Sequence, residues 1–188
     1  MSSLDGRAPL VIDVTDLQRR AGAMLTVQRT VPAPTDLANA MIAIPADSDI
    51  VLDLMAESVI EGVLISGTAS AQAQGTCSRC LDPLSQPITV DVQELFRYED
   101  LEPLTEEDEE LPTFDGELID IEPTLRDATV LGLPLAPVCQ ADCPGLCSIC
   151  GAKLAEDPKH HHDQTDSRWD ALAGMFNDER DSVRDEKD

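Results

Sequence analysis

Apolar and polar residues alternate along three stretches of the chain with the two-residue period of a strand that has one wet face. In Ile50–Glu57 (I-V-L-D-L-M-A-E), Ile50, Leu52 and Leu54 fall on one side and Val51, Asp53 and Met55 on the other. Val59–Gln74 continues as a second long strand, in which Gly62 and Gly67 mark bulges or bends. Ile88–Tyr98 is a third, with Ile88, Val90 and Val92 in phase. Leu10–Val14 and Met24–Val31 read as further strands, and the prolines between Val31 and Pro34 turn the chain. The period changes near residue 120. Asp120 is placed to cap a helix, Pro123 suits its first turn, and Ile121, Leu125, Ala128 and Thr129 share a face before Gly132 and Pro134 end it. A short helix is also predicted at Arg168–Phe176, where Trp169, Leu172 and Phe176 have helical spacing for local packing; the charged residues 177–188 follow as a disordered acidic tail.

Between the third strand and the helix the pattern fails. Glu99–Glu110 holds eight acids in twelve positions, a density that cannot pack, so 99–118 is expected to be an acidic loop. The whole chain shares this bias: 13 basic residues stand against 37 acidic ones, giving a formal charge of −24 and a pI near 4.1. Such a surface repels nucleic-acid phosphate over most of its extent and favours basic partners or plain solubility. Hydrophobic residues make up 42% and aromatics 3%, enough for one core built of Val, Ile, Leu and Ala. Neither a signal peptide nor an apolar run of membrane-spanning length is evident, which places the chain in the cytoplasm, where thiols stay reduced.

Six cysteines in a reducing compartment point to metal before disulfides. Cys77 and Cys80 form one Cys-x-x-Cys, and Cys139 to His162 holds the other four cysteines and all three histidines. A Cys-x-x-Cys turn lets two thiolates reach one tetrahedral ion, with zinc the natural occupant. The favoured division uses two ions: Cys77, Cys80, Cys139 and Cys143 for one, Cys147, Cys150, His160 and His162 for the other, with His161 left over. Gly151 suits the turn that lets backbone N–H groups reach the sulfurs, and Gly145 lets Cys143 and Cys147 diverge. Other divisions stay open. Cys139, Cys143, Cys147 and Cys150 can form a single local site, or a ribbon can pair Cys77–Cys80 with Cys147–Cys150. A redox Cys-x-x-Cys is a further alternative, although no helix follows Cys77–Cys80 to lower a thiol pKa. A catalytic zinc keeps an open position and a nearby base, and the chain has no G-x-S-x-G, phosphate-cradling glycine loop or H-E-x-x-H. No enzymatic activity is expected.

These motifs resemble a family. G-T-C-S-R-C-L (Gly75–Leu81), the I-D-I that opens the helix (Ile119–Ile121), L-P-L-A-P-V-C-Q-A-D-C-P-G-L-C-S-I-C-G (Leu133–Gly151) and D-S-R-W-D-A-L (Asp166–Leu172) together look like the bacterial YceD family of large ribosomal RNA subunit accumulation proteins. The resemblance implies a non-enzymatic cytoplasmic factor needed for large-subunit rRNA to accumulate. Many members follow G-L-C-x-x-C-G with Cys-x-Cys. Here His160 and His162 stand in that place, an exchange that keeps zinc ligation and favours the second quartet.

The resulting expectation is an α+β protein: a mostly antiparallel sheet, one main helix and a C-terminal zinc-stapled module. Residues 1–135 would form the β-rich domain with the acidic loop and the helix at about 120–132, residues 136–176 the Cys/His module, and 177–188 the tail. Its expected partner is a basic large-subunit ribosomal protein or a basic surface of the pre-ribosomal particle. Contact with rRNA is confined to local basic residues such as Arg79, Arg97 and Arg168. A direct RNA-binding zinc module is the alternative.

Overall fold

The computed structural model describes residues 4–103 and 110–162. Within it the chain divides into two compact units, Met1–Cys143 and Pro144–Asp188.

The first unit is a sheet with one dry face. Its strands are β1 (Val11–Asp13), β2 (Met24–Pro32), β3 (Ile42–Ala43), β4 (Asp49–Ser58), β5 (Gly62–Thr76), β6 (Pro83–Tyr98), β7 (Thr113–Phe114) and β8 (Leu118–Asp120), followed by helix α1 (Glu122–Gly132). The main sheet runs β2-β4-β5-β6-β7, with β3 pairing to β5 beyond the end of β4, and a separate pair joins β1 to β8. All pairings are antiparallel except β6 with β7. The alternation in β4 has the expected phase: Ile50, Leu52, Leu54 and Ala56 are buried, whereas Val51 and Met55 are exposed. Val63, Ile65, Ala69 and Ala73 of β5 and Val90, Val92, Phe96 and Tyr98 of β6 extend the same dry face.

The β1–β8 pair and α1 contribute to the one core that forms there, through Leu10, Ile12, Ile119, Ile121 and Leu125. Leu125 and Thr129 are the buried residues of α1, and Ala128 packs against the core from a half-buried position. Asp120 does not occupy the cap position itself, which falls to Ile121. Its carboxylate instead accepts the Glu122 N–H at 2.9 Å, and the cap falls one residue later than the sequence reading placed it. Among the described residues no helix is long and apolar enough to cross a membrane.

Three expectations change. The segment 99–118 is not loop throughout: Thr113–Phe114 pairs with Arg97–Tyr98, Phe114 lies 5.1 Å from the Tyr98 ring, and Leu118 opens β8. Apolar Phe114 and Leu118 anchor its end despite the preceding acids. The division of the first unit falls at Cys143, not at 135, because Cys139 and Cys143 pack with Cys77 and Cys80. Gly62 and Gly67 mark no bulge, since β5 pairs through both in continuous register. They are places of close strand approach: a Cβ on Gly67, at φ +148°, would stand 2.2 Å from the Asp53 carbonyl oxygen. The expected short helix at Arg168–Phe176 and the tail 177–188 lie outside the described residues.

Gly67→Ala must therefore push β4 away or distort β5. It is expected to cost about 1–3 kcal/mol of unfolding free energy in a urea titration.

Candidate metal centres

The β5–β6 hairpin runs past β4 and ends in a six-residue tip, Cys77 to Asp82, between the paired residues Thr76 and Pro83. Two backbone bonds shape this tip. The Cys77 N–H donates to the Asp82 carbonyl at 2.8 Å, and the Leu81 N–H donates to the Cys77 carbonyl at 3.0 Å. Leu81 adopts a left-handed conformation, φ 61°, which turns Cys77 and Cys80 to the same side.

After α1 the chain returns to this tip. Ser78 N–H donates to the Pro137 carbonyl at 2.8 Å, and Cys139 N–H points to the Cys77 Sγ at 3.4 Å. Arg79 completes the attachment by donating from Nη1 to the carbonyls of Ala141 and Cys143, at 3.3 and 3.1 Å. The outcome is a cluster in which the four sulfurs of Cys77, Cys80, Cys139 and Cys143 lie within 4.8 Å of one another. Cys77, Cys80 and Cys143 are buried and Cys139 is exposed, with Leu84 and Val138 packed alongside.

The spacings discriminate between a disulfide and an ion. Cys77 and Cys143 sulfurs are 3.9 Å apart and those of Cys80 and Cys139 3.7 Å, far beyond a covalent S–S bond of about 2.05 Å. They match the edge of a thiolate tetrahedron around zinc, about 3.8 Å for a metal–sulfur bond of about 2.3 Å. The electrostatics fit a cation too. Cys77 is lowered to about 6 by the N–H of Cys80, with those of Cys139 and Arg79 adding to it against the opposing effect of burial. At Cys80 the Asp82 N–H pulls downward, but burial and the sulfurs of Cys77, Cys139 and Cys143 push the thiol up to about 12. A buried group of sulfurs that resist joint ionisation is one that a divalent ion would neutralise.

The second unit repeats the turn. Cys147 N–H donates to the Ala152 carbonyl at 2.8 Å and Gly151 N–H to the Cys147 carbonyl at 2.9 Å. These are the offsets seen from Cys77 to Asp82 and from Leu81 to Cys77. Gly151, at φ 74°, takes the place that Leu81 holds in the first turn. Leu146 and Lys153 bridge across the base, and Leu154 N–H donates to Gly145, itself at φ 77°. Cys147 is also lowered to about 6, first by the Cys150 N–H and then by that of Ile149.

Cys147, Cys150, His160 and His162 form the second quartet, again with all ligand atoms within 4.8 Å. The Nε2 atoms of His160 and His162 are 2.9 Å apart, and each lies 3.2 Å from the Cys150 Sγ. His161 turns away, its Nδ1 3.0 Å from the Lys159 carbonyl oxygen. Cys150 and His162 are exposed and Cys147 and His160 half-buried, so this quartet is much the wetter of the two.

The structure thus brings the eight donors together in two groups, Cys77, Cys80, Cys139 and Cys143 in the first unit and Cys147, Cys150, His160 and His162 in the second. Either group has the donor number and spread to hold one tetrahedral ion. Arg79 was the residue whose role the sequence concealed. Its position between two ligands suggested a nucleic-acid contact, but its guanidinium is spent on the 141–143 carbonyls. Arg97 is likewise engaged, donating to the Leu101 carbonyl, and Arg168 lies outside the described residues.

A paired-strand unit and a small Cys/His unit, each bringing together four side chains that could hold a metal ion, define the class of scaffold. Comparison with known proteins narrows the class: the chain belongs to the YceD family, the large ribosomal RNA subunit accumulation proteins, whose match covers residues 65–176. It is 44% identical over 182 residues to an uncharacterized protein of Mycobacterium tuberculosis, strain H37Rv, covering 96% of this chain and 87% of that one. An uncharacterized protein of Mycobacterium leprae is 40% identical over 171 residues, covering 90% and 78% respectively. No solved structure matches the chain.

The difference in exposure predicts two rates. After loading with zinc, a chelating dye should draw metal from the chain in a fast and a slow phase. Cys147→Ser should remove the fast phase and Cys77→Ser the slow one.

Proposed function

We propose that the protein is a two-zinc, non-enzymatic cytoplasmic factor in the biogenesis of the large ribosomal subunit. It supports the accumulation of large-subunit rRNA by holding a basic ribosomal protein or a basic surface of the precursor particle. The observation that carries this reading is the closure of both quartets: eight donors divide into two fours, and an ion with four protein ligands has no position left for substrate. Membership of the YceD family supplies the process. The charge of −24 supplies the sign of the partner, since a surface so acidic attracts basic protein and repels phosphate.

When bound, zinc would draw the thiolates and imidazoles into fixed geometry and neutralise them. The protein's own residues do the remaining work. Arg79 and the Ser78 and Cys139 amides bind the segment after α1 to the hairpin tip, joining residues some sixty positions apart in sequence. Closing so long a loop favours the folded chain by restricting the unfolded one.

The test is complementation of cells lacking the gene. Native protein should carry about two zinc ions, and Cys77→Ser and Cys147→Ser should each lose about one. Cys77→Ser should lower the ratio of large- to small-subunit rRNA. A native protein without zinc, or an rRNA ratio indifferent to the deletion, would overturn the reading.

A further inference from the structure

Among the described residues the sheet ends at β2, and no strand pairs with its outer edge. Strand β2 pairs with β4 on one side only, in unbroken register from Met24 opposite Glu57 to Pro32 opposite Asp49. Just past its end the Ala33 N–H donates to the Ser48 carbonyl, and just before its start the Ala23 carbonyl accepts from Ser58 N–H. Odd-numbered residues therefore turn their backbone groups toward β4, and those of Met24, Thr26, Gln28 and Thr30 point outward from the edge. Of the usual guards of an exposed edge, β2 has no bulge, lysine or acid; it keeps a half-buried Arg29 on its dry face, bonded to the Val11 carbonyl at 2.9 Å, and a proline at its last position. An open depression of about 330 Å³ lies at its middle, lined by Gln28, Arg29, Thr30, Val51, Leu52 and Asp53.

On the wet face the charged side chains beside this edge have one sign, Arg29 being on the dry face. On the wet face of β2, β4, β5 and β6, across the rows that β2 and β4 share, the charged residues are Asp49, Asp53, Glu57 and Asp91, and none is basic. Three of them stand on β4, directly behind the edge, four residues apart and hence about 13 Å from one another. A further strand laid on β2 would place every second side chain on this face, so every fourth would fall in line with a carboxylate.

We propose that β2 is a docking edge for an extended basic segment of a partner protein, added as an antiparallel strand with lysine or arginine at every fourth position. This rests on the proposed function for the partner's origin in the ribosome, but the edge and its charges stand independently of it. A second copy of this chain is a poorer occupant, because two chains of −24 repel.

The probe is a synthetic peptide of threonine, valine and lysine with lysine at every fourth residue, titrated into the full zinc-loaded chain. Controls are a peptide of the same composition with clustered lysines and one with glutamate for lysine. Binding should protect the Thr26, Gln28 and Thr30 amides from hydrogen exchange and weaken with salt. Gln28→Pro removes an outward N–H without removing a backbone bond to β4, although it also gives up the 3.0 Å bond from Gln28 Nε2 to Asp53 Oδ1, and should weaken binding at least about tenfold. The triple change Asp49→Asn, Asp53→Asn, Glu57→Gln should do the same and flatten the salt dependence. Should Gln28→Pro destabilise the sheet in urea, the triple change and the amide protection still decide. Unprotected β2 amides, equal binding of the clustered peptide, or a dimer that Gln28→Pro dissolves would overturn the proposal. In the complementation assay, normal rRNA with Gln28→Pro but not with Cys77→Ser would sink the edge as the ribosomal contact while leaving the proposed function intact.

Discussion

Four sulfur atoms meeting at a hairpin tip set the terms for the rest of the first unit. Three are buried, within tetrahedral reach, at the place where the longest strand pair ends and where the segment after α1 returns. Sulfurs this close repel one another once ionised and are poorly hydrated where they lie. Around them, amide donors stabilise Cys77 as thiolate while the neighbouring sulfurs keep Cys80 protonated. That unequal arrangement is a receptor for positive charge, and the backbone that creates it is the same backbone that joins strand to helix exit. Fold and site are one construction here: the ladder that extends β5 and β6 past β4 also carries the cysteines out to their partners.

Much of this was legible in the order of residues. A period of two in Ile50–Glu57 located β4 and its dry face, because a sheet with one side in water allows no other placement of Leu52 and Leu54. The grouping of the eight donors was the favoured of several divisions that spacing and the small reach of a Cys-x-x-Cys turn left open. Other features were hidden for physical reasons. Strands of two or three residues have no period to display: β3 and β7 form because a longer neighbour offers an open ladder, and β8 because it meets the equally short β1. Pro83–Gln86 did not resemble a strand, yet the hairpin register carries them into β6. Arg79 looked like a free cation because the carbonyls it serves lie some sixty residues away. The glycines of β5 suggested bends, whereas their service is to allow a flat strand to approach its neighbour.

The two turns illustrate how one geometry accommodates different residues. Each places a left-handed residue four positions after its first cysteine, Leu81 in one and Gly151 in the other. Glycine enters that region freely, whereas leucine does so at a cost of about 1–2 kcal/mol. The first turn can hold a leucine there because it is gripped by Pro137, Cys139 and Arg79. The second turn, of the same size but more exposed, uses glycine.

The succession β4, β5, β6 has a kinetic implication. Each of these strands pairs with the next along the chain, so the ladder can close from contacts near in sequence, while the sulfur cluster must wait for residues emitted long after Cys80. During synthesis at the ribosome, a nascent chain would thus display a finished meander and an unclosed tip until Cys143 emerges. Scarcity of metal would be felt at that last moment, in completed chains whose sheet had already been made.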